Sequence, residues 1–74
     1  MDNPLRQWRK SKNLRAVDVA LQLGVSERSI LAYETGAFKP TEKNLAALSS
    51  KMGLSLDGLK SSWNAWILSF NGKV

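Results

Sequence analysis

The side chains with the clearest chemical potential are basic, and they are bunched. Arg6, Arg9, Lys10, Lys12 and Arg15 supply five of the eleven Lys and Arg residues within the first fifteen positions, against six Asp and Glu in the whole chain. The formal net charge is +5 and the pI about 10.0. That balance attracts polyanions, either nucleic acid or an anionic membrane surface. A basic cluster alone is more often a solvated face, so it gains meaning only beside an element that docks.

Other chemistries are poorly supplied. The chain has no histidine and no cysteine, which removes the commonest general base, the commonest zinc ligands and any disulfide. The six carboxylates fall at cap, scaffold and surface positions, with no phosphate-cradling loop and no nucleophile–base arrangement. The expectation is therefore no enzyme, no metal site and no cofactor.

The elements that must position these residues are short. Seventy-four residues make one domain, near the lower limit for a core that folds unaided. Three tryptophans help by supplying large buried areas. The opening Met1-Asp2-Asn3-Pro4 has no signal-peptide pattern. The longest apolar-leaning run, Trp63 to Phe70, is far short of the ~20 residues of a membrane span. A single cytoplasmic domain over residues 1–74, without a membrane partner, is expected.

Asn3 is a good N-cap and Pro4 a good first helical residue, so helix 1 begins there, with Leu5 and Trp8 on one face. Asn13-Leu14 reads as a break. Helix 2 runs from about Ala16 to Leu23, with Ala16, Val19, Ala20 and Leu23 as its apolar stripe and Gly24 as a left-handed terminator. Ser26 caps helix 3, roughly Glu27 to Thr35. Ile30, Tyr33 and Glu34 lie on one side of it and Glu27, Arg28, Leu31 and Ala32 on the other. Thr41 caps helix 4, whose stripe is Leu45, Leu48, Ser49 and Met52, and Gly53 closes it. Ser55 caps helix 5, which carries Leu56, Leu59, Trp63, Trp66, Ile67 and Phe70 to a stop at Asn71-Gly72. No strand signal competes. The class is all-α.

The segment from helix 2 through Gly24-Val25-Ser26 to helix 3 has the construction of a helix-turn-helix unit, spanning about residues 16–35. A three-residue turn is equally at home in an ordinary αα-corner. The wider pattern is more specific. Leu5, Trp8-Arg9, Leu14, Val19-Ala20, Gly24-Val25-Ser26, Ile30, Glu34 with Gly36, Pro40-Thr41, Leu45 with Leu48, Met52, Leu54-Ser55 and Leu59 together resemble the phage-repressor and Cro-like helix-turn-helix family, often called XRE-type. The resemblance covers Leu5 to Leu59. It implies a compact five-helix bundle of the lambda-repressor-like type, extended here by a C-terminal helix over about residues 60–74. It also implies a sequence-specific regulator of transcription that binds double-stranded DNA as a homodimer, as a repressor associated with the nucleoid.

Carried onto this chain, the resemblance implies roles. Arg9 and Glu34 match an ion pair that locks helix 1 to helix 3. Glu27, Arg28, Leu31 and Ala32 fall where the family faces bases: Arg28 has the donor fork for guanine O6 and N7, Glu27 can accept from cytosine N4, and Leu31 and Ala32 can touch a thymine methyl. An acid at Glu27 is equally explained by the helix dipole. Phosphate contacts are expected from Arg15, Ser29, Lys39 and Lys43, and at Ala16 through the start of helix 2. Two of these positions depart from the family: Arg15 replaces a small polar cap, and Ala16 replaces a glutamine that commonly bridges to DNA.

Trp63, Trp66, Ile67 and Phe70 extend past the resemblance. Their spacing points to packing, either on the chain's own bundle or on a second subunit, and the terminal helix is expected to contribute to the dimer. The competing reading is an antitoxin or other interaction module that offers this apolar helix to a protein partner.

Overall fold

A computed structural model describes residues 3–71, with side chains as far as Ser69. Five helices follow one another: α1 (Pro4–Ser11), α2 (Ala16–Leu23), α3 (Glu27–Thr35), α4 (Glu42–Met52) and α5 (Leu56–Asn71). No strand occurs among the described residues. The fold is all-α, as the periodicities predict.

Local chemistry sets the boundaries. Asn3 Oδ1 accepts from the backbone N–H groups of Leu5 at 2.9 Å and Arg6 at 3.2 Å, so one side chain satisfies two of the three orphan donors at the start of α1, Pro4 having none to satisfy. Ser26 and Thr41 each accept from the backbone three residues on, at 3.1 and 3.2 Å. The hydroxyl of Ser55 does the same for Gly58 at 3.0 Å, which fixes the start of α5. At Gly24 the chain enters the left-handed region, with φ at 72°, and the N–H of Val25 returns to the carbonyl of Ala20 at 3.1 Å. That closure lets α3 begin with only three residues between it and α2.

One apolar cluster joins all five helices. Leu5, Val19, Ile30, Leu48 and Leu59 are completely buried and Trp63 nearly so, with Leu45, Ala20 and Trp66 beside them. α2 packs on α3, α4 on α5, and α1 on both α3 and α5. The long α5 therefore backs the bundle, while α2 and α3 form its front. No helix among the described residues is long and apolar enough to cross a membrane.

Candidate nucleic-acid interface

The core stripe of α3, Ile30, Tyr33 and Glu34, is buried, and its polar members are tied to the rest of the bundle. Glu34 receives two N–H bonds from the Arg9 guanidinium, Nε to Oε2 and Nη2 to Oε1, both at 2.8 Å. Arg9 Nη1 also donates to the carbonyl of Leu14 at 3.1 Å. The hydrogen bonds to Glu34 hold the Arg9 guanidinium above the usual arginine value, against the opposing effect of burial. The Tyr33 hydroxyl accepts from Asn44 Nδ2 at 3.1 Å, and its carbonyl accepts from Asn3 Nδ2 at 3.4 Å. Thus α1 grips the inner side of α3 twice and α4 once. No buried side-chain polar atom is left without a hydrogen-bond partner among the described residues.

The opposite side of α3 has no such obligations. Glu27, Arg28, Leu31 and Thr35 are exposed, and Ser29 and Ala32 half-buried. Arg28, Leu31 or Ala32, and Thr35 follow at three- and four-residue steps and so line one outward face. The Thr35 hydroxyl donates to the Ala32 carbonyl at 3.3 Å. Arg28, Lys39 and Lys43 are exposed and form no ion pair among the described residues. The neighbouring acid, Glu42, is instead taken up by Lys60 across the α4–α5 contact at 3.1 Å. Lys39 and Lys43 are therefore left without an acidic partner among the described residues.

Arg15 and Ala16 stand at the start of α2, where the expected phosphate contacts place them, with their side chains otherwise engaged. The Ala16 side chain is 8% exposed and belongs to the core, so only its backbone stands at the helix start. Arg15 is turned onto Asp18: the guanidinium donates to both carboxylate oxygens, at 3.2 and 3.1 Å, and the Arg15 backbone N–H donates to Oδ2 at 2.8 Å. Asp18 thereby caps α2 in place of a small polar residue. The same hydrogen bond, first, and then the charge on Asp18 raise the Arg15 guanidinium above its usual value, and Glu27 adds a smaller attraction.

At the far end, Trp63 and Trp66 are 1% and 5% exposed, with their rings edge to face at 6.2 Å. Ile67 is half-buried against the same cluster. Both tryptophans are buried in the chain's own core cluster. Leu68, which the sequence reading passed over, is 69% exposed on α5. The Phe70 side chain lies outside the described residues.

Sequence reasoning also missed Asn3, Asn44 and Thr35. Asn3 was legible as a cap but not as a bridge to a carbonyl thirty positions away. Thr35 could have been found by extending the outward stripe of α3 one more turn.

The sequence pattern of the helix-turn-helix family matches residues 5–59 of this chain. A protein of Methanocaldococcus jannaschii, named an uncharacterized HTH-type transcriptional regulator, is 32% identical over 59 residues, covering 80% of this chain and 89% of that one. No solved structure matched. With α2, the Gly24 turn and an outward-facing α3 inside the matched span, the chain belongs to the helix-turn-helix family.

Proposed function

We propose that the protein binds double-stranded DNA and regulates transcription, acting as a repressor. One observation carries this reading. α3 is fastened from its inner side by Arg9, Asn3 and Asn44, while its outer side presents Arg28, Leu31, Ala32 and Thr35 beside Lys39 and Lys43, which form no ion pair among the described residues. A rigid helix with an unengaged outer face and flanking cations suits the major groove of a polyanion. The name of the Methanocaldococcus jannaschii relative supports the regulatory role.

In this reading Arg28 takes guanine O6 and N7, Glu27 accepts from cytosine N4, and Leu31 and Ala32 meet thymine methyl groups. Ser29, Lys39 and Lys43 hold phosphates, as does Arg15 once a phosphate has drawn it from Asp18, and the backbone N–H at Ala16 adds a donor. One α3 covers one half-site, so a two-fold partner reads the second. With Trp63 and Trp66 committed to the core, the dimer forms through the exposed side of α5 at Leu68. Residues 1–74 act as a single domain.

Methylation interference tests the central contact. Guanine N7 methylation at one position per half-site abolishes binding by the wild-type protein and has no effect on the residual binding of Arg28→Ala. Binding insensitive to every N7 methyl group would remove α3 from the major groove.

A further inference from the structure

Phe38 is an aromatic side chain left 64% exposed on a loop whose backbone is well fixed. The loop leaves α3 through Gly36 at φ 84°. The N–H of Phe38 donates to the carbonyl of Ala32 at 3.3 Å, and Pro40 is buried two residues later. Phe38 is thus an exposed ring on a segment whose backbone is tied to the last turn of α3 and followed by a buried proline. The chain around it is basic: Lys39 follows it and Lys43 stands in the first turn of α4, neither in an ion pair among the described residues, while Glu42 pairs with Lys60.

Exposing a ring of this size forgoes the favourable burial of its apolar area, and the unpaired cations around it leave little for a basic or neutral protein surface to complement. A polyanion that also carries apolar C–H surface complements both. We infer that Phe38 packs against the deoxyribose edges of the DNA strand whose phosphates Lys39 and Lys43 hold, forming an apolar pad that extends the contact beyond α3. This rests on the DNA-reading assignment above. Phe38 acts on affinity, not on sequence choice, because every nucleotide presents the same sugar.

The chemistry sets it apart from its neighbours. Loss of a sugar contact removes apolar burial and releases no counterions, so it lowers affinity without changing the salt slope. Loss of a lysine lowers the slope by about 0.9.

The test uses fluorescence anisotropy on the full chain, with a duplex selected from random sequence and a scrambled duplex, each across a salt series. Phe38→Ala should weaken both duplexes by the same factor, about tenfold for tens of Å² of apolar area at the usual coefficient, with an unchanged salt slope and an unchanged melting temperature. Because the chain has no cysteine, Phe38→Cys provides a single thiol. Charged with an iron chelate that cleaves nearby sugars, it should cut the selected duplex at one place per half-site.

Unaltered affinity in Phe38→Ala, discrimination lost at one base pair, or a cysteine variant that joins two subunits and leaves DNA uncut would each overturn the inference. If the wild-type protein preferred no duplex at all, the DNA-reading assignment itself would fail, a result separable from these.

Discussion

Arg9 and Glu34, 25 positions apart in sequence, meet through two parallel N–H bonds of equal length, and the third donor of the same guanidinium closes on the Leu14 carbonyl. One side chain thus couples α1, the α1–α2 connection and α3. The Glu34 side chain is 3% exposed and that of Arg9 14%. At such burial the pair is more costly to break than it is favourable to have made, because a lone carboxylate stays behind without solvent. Arg9→Met should destabilise the protein by about 3–5 kcal/mol, and Arg9→Met combined with Glu34→Met should recover much of that. Urea unfolding of both variants checks this; a double variant no more stable than the single one would contradict it.

Arg15 and Asp18 form the exposed counterpart, and here pH is the lever. The hydrogen bonds from Arg15 hold the Asp18 carboxyl below its usual value of 3.8. A carboxyl whose folded value is depressed stabilises the fold above its unfolded value and loses that contribution as the pH falls through the folded one. The melting-temperature difference between wild type and Asp18→Asn should therefore be present above about pH 4 and shrink below it. A difference that is constant from pH 2 to 7 would show that the pairing contributes nothing.

The same pair bears on DNA. With Asp18 neutralised by Asp18→Asn, Arg15 is released to phosphates, so the variant should bind duplexes more tightly and with a steeper salt dependence than wild type. Weaker binding would mean that Asp18 is needed chiefly as the cap of α2.

Arg28 and Lys43 separate reading from anchoring. Arg28→Ala should cost about 1–3 kcal/mol on the preferred site and relax discrimination at one base pair. Lys43→Ala should weaken all sequences alike and reduce the salt slope by about 1. Equal effects of the two variants on sequence preference would contradict the assignment.

Trp63 and Leu68 lie on the same helix with opposite consequences. Trp63→Ala should cost about 3–5 kcal/mol of stability as a core truncation. Leu68→Glu should leave the monomer folded while shifting the sedimentation coefficient from dimer to monomer. A dimer undisturbed by Leu68→Glu would move the subunit contact elsewhere.

Much of the fold could be read from the sequence because its boundaries are local chemistry. Asn3-Pro4, Ser26, Thr41 and the glycines at positions 24, 36 and 53 start and stop helices through contacts within three or four residues. The relationships that span the fold were legible only in part. Arg9 with Glu34 came from family resemblance, since no periodicity links positions on different helices. The Asn3–Tyr33 and Asn44–Tyr33 bonds carry no pattern at all. The basic cluster marks Arg15 as a phosphate anchor, and its turn onto Asp18 is a three-residue spacing that charge counting alone overlooks. The apolar spacing on α5 marked Trp63 and Trp66 as packed without saying on what, because cis and trans burial look alike in one dimension.

Selection of bound sequences from random duplex DNA tests the central claim most directly. A regulator that reads the major groove with α3 as a two-fold dimer should enrich a palindromic motif with half-site centres about one helical turn apart, roughly 10–10.5 base pairs. Pools that emerge unenriched after repeated rounds, bound only weakly and released by moderate salt, would contradict it.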